Sequence, residues 1–381
     1  MNNLGYKIRE DVVIEILSRL PVKTFLRFKC VSKTWFTIII SHSFSQKHLN
    51  MALADSNKDR LLIVHESFNS CESFFALFVN GEITLGTNLS FGKKRSRGDI
   101  RVTGSCHGLF CIHYDRDDEF LLWNPATREI KDISNSSIPL PRNVDAELYQ
   151  VGFGFDSNTR DYKVVKLMRL DENCDYHVEV YTLSTNSWRK IEATVPDYVT
   201  SSPSMLPTYW NGTYYWWGER DRDVIICFDM CIEQFDMILL PTIEVLPTVV
   251  RRFEYHCFTE YNGSLGVIFC FMNCSKTWCE LWTMKGKGAE VSWTKQYFIG
   301  LFESRLNLRP LMILKSKIIL FTNDKNEIIP YDHVTKTMQA PFPDDSLMKM
   351  FKSHECLFVT RCQPLWITRA IISYKESLVR I

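Results

Sequence analysis

Apolar residues in the first fifty positions recur at the three- and four-residue spacing of a helical face. Beyond residue 60 they gather instead into short runs separated by turn signals. Val12, Val13, Ile16, Leu17 and Leu20 predict a first helix. Glu10 and Asp11 sit in its opening turn, where negative charge suits the positive end of the helix dipole, and Pro21 ends it. A second apolar set (Phe25, Leu26, Phe28, Cys30) and a third (Trp35, Phe36, Ile39, Ile40) predict two more helices, the last capped by Ser32. A unit of about forty residues is near the lower limit for burying enough surface to fold alone. Its apolar residues occupy more than one face, so the expectation is a partner-binding module. The plainer alternative is that it docks on the rest of the chain.

After a polar stretch from Ala54 to Arg60, one phrase recurs: apolar strand, polar hairpin, apolar strand ending near an aromatic residue, turn, strand. It runs through Leu109–Tyr114, Asp115–Glu119 and Phe120–Trp123, and returns over Tyr162–Tyr181. Weaker copies cover Thr213–Asp229, Gly266–Met284 and Lys317–Asp332. The anchors Trp123, Tyr181, Phe228, Trp282 and Tyr331 lie about 50 residues apart, the repeat length of a kelch-type β-propeller. About six blades fit the length from residue 60 onward; a pair of irregular β-sandwiches is the alternative. The fold expected is α+β and multidomain: a small three-helix unit followed by an all-β propeller.

Composition adds a contrast between the two parts. Hydrophobic residues at 45% and charged residues at 23% are ordinary globular values, and 13% aromatics favour pleated structure. The net charge of +1 hides an asymmetry: residues 1–50 carry eight Lys/Arg against three acids, a net of +5, and the rest carries 37 against 41, a net of −4. A basic module on a mildly acidic body implies different partners for each. The opening run MNNLGYKIREDVVIEILSRLP mixes charge into its apolar residues, unlike a secretory signal. No run reaches the roughly 18 apolar residues of a membrane span, so no membrane partner is expected. The 13 cysteines are then expected to be reduced thiols in cytosol or nucleus.

The run from Arg9 to Trp35 (REDVVIEILSRLPVKTFLRFKCVSKTW), continued by Ile40-Ser-His-Ser-Phe44, resembles the plant F-box. The resemblance implies binding to a Skp-type adaptor and through it to a cullin, with Ile8, Val12, Ile16, Leu17, Leu20, Pro21, Leu26, Cys30, Val31 and Trp35 in or beneath that contact. The family's usual opening Leu-Pro is Ile8-Arg9 here, which keeps the apolar residue and loses the rigid proline. Trp123-Asn-Pro-Ala-Thr-Arg, Gly152-Phe-Gly-Phe-Asp-Ser-Asn-Thr-Arg and Val178-Glu-Val-Tyr-Thr-Leu are similar to the plant F-box-associated domain, and most of all to the S-locus F-box proteins of pollen. Residues 4–48 are accordingly read as the F-box, 49–59 as a linker and 60–381 as the substrate-binding domain. The resemblance implies a non-catalytic receptor of a ubiquitin ligase in the pollen-tube cytosol, or in the nucleus, whose target is a basic S-locus ribonuclease. An F-box receptor for another plant protein, such as an immune or signalling regulator, is the alternative.

Hairpins at the same place in successive repeats open on the same face of an antiparallel propeller. The loops before the anchor strands include three acid-rich ones: Asp115, Asp117, Asp118 and Glu119; Asp171, Glu172 and Asp175; Glu219, Asp221 and Asp223. They predict a negative rim that attracts a basic protein target, and local pairing with Arg116, Arg220 and Arg222 is the plainer reading. The turns Asn124–Arg128, Ser184–Asn186 and Asp332–Lys336 come one strand later and should open on the opposite face.

Other chemistry is not advertised. There is no P-loop, no His-Glu-x-x-His and no Gly-x-Ser-x-Gly, so no catalytic residue and no cofactor are expected. Cys227, Cys231, Cys270, Cys274 and Cys279 lack the paired spacing of a zinc site and read as small buried hydrophobes. Lys93–Arg97 reads as a solvated loop, with no nucleic-acid partner. A propeller enzyme, or a lectin using Trp210, Tyr214, Tyr215, Trp216 and Trp217, are the rival classes.

Overall fold

The computed structural model describes residues 9–54, 60–67, 73–79, 82–88, 100–114, 119–140, 146–170, 175–197, 207–219, 223–243, 255–273, 276–286, 290–303, 306–314, 317–325, 327–341, 366–373, 375–379 and 381. The basic run Lys93–Arg97 and Ile8 lie outside them.

Four helices open the chain: α1 (Glu10–Ser18), α2 (Val22–Phe28), α3 (Lys33–Ile40) and α4 (His42–Ala54). Pro21 is the N-cap of α2, and Ser32 caps α3 by accepting from the Trp35 amide at 3.1 Å. The expectation of three helices is corrected by α4, which continues to Ala54, inside the stretch read as a linker. Its polar sequence HSFSQKHLNMALA shows little amphipathic pattern, yet it buries Phe44, His48 and Leu49.

The remaining strands pair only with antiparallel neighbours, in four-stranded sheets. Five blades are continuous in the chain. Blade 1 holds β4 (Ile100–Cys106), β5 (Leu109–Tyr114), β6 (Phe120–Asn124) and β7 (Glu129–Ile133). Blade 2 holds β8 (Ala146–Asp156), β9 (Asp161–Leu170), β10 (Asp175–Thr182) and β11 (Ser187–Ile191). Blade 3 holds β12 (Thr208–Trp210), β13 (Thr213–Glu219), β14 (Asp223–Asp229) and β15 (Gln234–Leu239). Blade 4 holds β16 (Tyr255–Tyr261), β17 (Ser264–Met272), β18 (Lys276–Lys285) and β19 (Ser292–Glu303). Blade 5 holds β20 (Arg309–Leu314), β21 (Ile318–Thr322), β22 (Ile328–Asp332) and β23 (Thr337–Met338).

A composite sheet joins β1 (Arg60–Ser67), β2 (Ser73–Val79) and β3 (Glu82–Asn88) to β24 (Trp366–Ser373). The expectation of about six like repeats is thus corrected to five continuous blades and a sheet closed by strands far apart in the chain, with Leu62 opposite Ile372. Each aromatic anchor lies on the third strand of its blade: Trp123 on β6, Tyr181 on β10, Phe228 on β14, Trp282 on β18 and Tyr331 on β22.

Blades pack face to face, so both faces of a middle strand are buried and its sequence reads as an unbroken apolar run. Along β13, Tyr214 and Trp216 face the core shared with blade 2, and Tyr215 and Trp217 face the core shared with blade 4. This buries the ring cluster proposed for a lectin; Trp210 is partly buried beside it. Gly152 lets β8 approach this wall, since a Cβ there would lie 2.8 Å from Trp216 Cζ2. In blade 4, Cys270 and Cys279 stand directly opposite in the β17–β18 register and form a disulfide. That corrects the expectation of 13 reduced thiols: the hairpin register brings two buried sulfurs together.

Four strand-to-strand turns share one construction. Asn124, Asp156, Asp229 and Asp332 end strands and accept hydrogen bonds from amides two and three residues further on. The fifth residue of each turn, Arg128, Arg160, Glu233 or Lys336, has φ of 61°, 55°, 56° or 58°.

Candidate adaptor and target faces

The α1 helix is apolar on two sides because its residues serve two surfaces. Val13, Ile14 and Leu17 turn inward to pack with Val22, Phe25, Ile38, Ile39 and Phe44. Val12 and Ile16, one turn apart, are 45% and 55% exposed, and Val31 is 60% exposed. Exposed apolar residues this close on a small unit mark an interaction surface. Of the residues implied for adaptor binding, Val12, Ile16, Pro21, Cys30 and Val31 are exposed. Leu20, Leu26 and Trp35 are half-buried, Trp35 lying edge-on to Phe28 at 5.1 Å, and Leu17 is buried beneath them. Phe36, one of the third apolar set, is 44% exposed.

Glu15 ties α1 to α4. Its carboxylate accepts from Arg19 at 2.7 Å and from Lys47 at 2.5 Å, and the hydrogen bond from Lys47, followed by that from Arg19, holds its pKa below the usual carboxylate range.

The F-box unit sits on one end of the propeller. Ala126, in the β6–β7 turn, packs against its core, and Arg160, in the β8–β9 turn, lines a groove with His42, Gln46, Lys47 and Asn50 of α4. These turns join third to fourth and first to second strands, so they open on the same end. In blades 1, 2 and 3 the end of the second strand and the start of the third, which bracket the acid-rich sequences, lie on the opposite end, away from α1–α4.

Of the ten acidic candidates, Asp115, Asp117, Asp118, Asp171, Glu172 and Asp221 lie outside the described residues. Asp175 and Glu219 are placed by backbone only, at the hairpin ends where Asp175 pairs with Leu170 and Glu219 with Asp223. Glu119 is exposed. Asp223 is half-buried and accepts from Trp217 Nε1 at 3.2 Å, so part of its charge serves blade 3 itself.

Among the described residues no group of His, Cys, Asp and Glu is arranged to hold a metal, and no helix is long and apolar enough to cross a membrane. Two histidines of the propeller are held neutral by their surroundings. Burial pushes His107 down to about 4, and His256, its ring centre 3.6 Å from that of Trp217, to about 3.

Comparison with known proteins accounts for both parts. The F-box domain family matches residues 10–47, and the F-box associated beta propeller domain family matches residues 60–381. An F-box/kelch-repeat protein of Arabidopsis thaliana is 30% identical over 318 residues, covering 81% of this chain and 84% of the relative. The F-box protein CPR1 of the same plant is 26% identical over 362 residues, covering 87% and 83%. Among solved structures, an oligogalacturonate lyase from Vibrio parahaemolyticus aligns with a TM-score of 0.39 at 11% identity, covering 73% of this chain and 78% of that one, a likeness that carries no argument. F-box domains bind Skp-type adaptors and, through them, cullins. With an F-box seated at one end of an F-box-associated propeller, this chain belongs to the plant F-box proteins that carry an F-box associated β-propeller domain.

Proposed function

We propose that this chain is the substrate-recognition subunit of an SCF-type ubiquitin ligase, with the adaptor on the exposed α1 face and a protein target on the far end of the propeller. The observation that carries this reading is the placement of the F-box. It packs at the end that carries the Ala126 and Arg160 turns, so among the described residues it does not cover the end where second strands pass to third strands. The receptor does no bond chemistry of its own. It raises the effective concentration of a target lysine beside the ubiquitin thioester.

The acid-rich loops favour a basic target, by speeding encounter and restricting partners more than by adding affinity. The S-locus ribonucleases are the specific target we propose, on the resemblance of Trp123–Arg128 and Gly152–Arg160 to the pollen proteins, and the pollen-tube cytosol is the compartment that goes with it.

Affinity purification of the tagged chain from pollen extract mixed with style extract, with the proteasome blocked, tests this reading. Adaptor, cullin and a basic ribonuclease recovered together support all of it. Adaptor and cullin with another target keep the ligase role and remove the ribonuclease. Recovery without adaptor contradicts the receptor reading.

A further inference from the structure

Residues 375–379 and 381, which follow β24, touch both halves of the molecule. Leu378 is buried in the F-box core with Leu17, Phe25, Ile39 and Phe44. Its neighbours turn the other way: Val379 and Ile381 pack on the core between blades 1 and 2. Glu376 pairs with Arg60 of β1 at 3.2 Å, both side chains largely covered. One short segment thus spans the composite sheet, blade 1 and the F-box.

Asn124 holds this segment. Its Nδ2 donates to the carbonyls of Ser377 at 3.2 Å and Val379 at 2.8 Å, in a site where Asn124 and Ser377 are both fully buried. The same side chain's Oδ1 builds the blade 1 turn, the task that Asp156, Asp229 and Asp332 perform in their turns. Either residue type can accept the turn amides, but a carboxylate has no hydrogen to give. The amide therefore stands at the one such turn that faces the segment. An aspartate there would keep the turn and set a buried negative charge against two carbonyl oxygens. Gly108 completes the seat: with φ of 82°, it leaves room where a Cβ would lie 2.3 Å from the Lys375 carbonyl.

We propose that residues 375–379, with Ile381, are a clasp that fixes the angle between F-box and propeller, and that Asn124 is the positioning residue that keeps it closed. Its consequence for ubiquitin transfer, that a fixed angle selects which target lysines are presented, rests on the receptor reading above; the clasp itself does not.

Single-molecule energy transfer on the full chain tests it, with dyes placed on unnatural amino acids at the exposed positions Lys33 of α3 and Lys325 of the β21–β22 hairpin. Asn124→Asp should widen the distribution of transfer efficiency about twofold or more, because domains without a large fixed interface move against one another. Asp229→Asn, the reverse exchange at a turn with no clasp, should leave it narrow. A narrow distribution in Asn124→Asp, even with a lowered Tm, would mean that the residue only stabilises its blade, and overturns the proposal. If that variant fails to fold, Leu378→Ala reads the same distribution: a broad one supports the clasp and a narrow one overturns it. Adaptor affinity, measured separately on wild type, reports on the receptor reading, so the two can fail independently.

Discussion

Lys166 and Glu179 face each other across the β9–β10 pair, Nζ to Oε2 2.8 Å, with both side chains 1% exposed. His177 adds a contact to the other carboxylate oxygen at 2.9 Å, and the Lys166 ammonium lies 5.0 Å from the Trp188 ring centre. Removing one member of a buried pair strands the other's charge, which costs about 3–5 kcal/mol, whereas replacing both by apolar residues of similar size is often neutral. Glu179→Leu should therefore lower the urea midpoint severely, and Lys166→Met with Glu179→Leu should recover most of the loss. A double variant as unstable as the single one would contradict this account of the site.

The buried histidines make the fold acid-sensitive. His107 and His256 are held at about 4 and about 3, and His48 is also pushed down, all chiefly by burial. The unfolded chain takes up their protons below about 6.5 while the folded chain does not, so stability is lost as pH falls from there towards the folded values. Each histidine contributes a slope of about 1.4 kcal/mol per pH unit in that window. Asp156 and Glu233, whose carboxyls are held low by hydrogen bonds from Lys163 and from Arg189 and Lys163, stay ionised there and do not mask the effect. Urea midpoints should fall steadily between pH 6.5 and 5; a flat profile would count against neutral buried histidines.

Gly108 follows His107 in the β4–β5 turn, both with positive φ. Gly108→Ala adds backbone strain and drives a Cβ into the Lys375 carbonyl, 2.3 Å away. A loss of about 1–3 kcal/mol in thermal unfolding is expected. Gly212→Ala, also at positive φ but with nothing within 4 Å, should cost less. Equal losses would show that the 375–381 segment adds nothing to the demand for glycine.

How much of this was legible in the sequence differs by element. The helical spacing of α1 was visible because it is local, but the division of its apolar residues into inward Val13 and Leu17 and outward Val12 and Ile16 appears only in the packed unit. The five aromatic anchors marked third strands for the same reason, their apolar runs lying between recognisable turns. Helix α4 was hidden because one of its inward residues is His48 and its remaining residues are mostly polar. The closing strand β24 pairs with β1 across about three hundred residues, and no local period encodes such a partner. The Cys270–Cys279 disulfide depends on hairpin register, which a spacing of nine residues alone does not specify. The acidic rim was read from composition, and Asp223 shows its weakness: a carboxylate at a loop mouth can be engaged by its own blade through Trp217.

If the far end recruits a basic target by charge, Asp171→Asn with Glu172→Gln, combined with Glu219→Gln and Asp221→Asn, should slow target association about tenfold at low salt. The effect should shrink at high salt, as screening removes it. Adaptor affinity should not change, because the strands that bracket these loops meet on the end away from α1–α4. Association kinetics at two salt concentrations check this, and an unchanged on-rate at low salt contradicts the steering role.

Adaptor binding through the α1 face is read by titrating the purified chain with a plant Skp-type adaptor and comparing wild type with Val12→Asp/Ile16→Asp. Both side chains are exposed, so the double variant should fold with little change in Tm. Wild type should bind and the variant should lose about 100-fold or more in affinity, as expected for charges buried at an apolar contact. A wild-type chain that does not bind, or a variant that binds equally well, would contradict it.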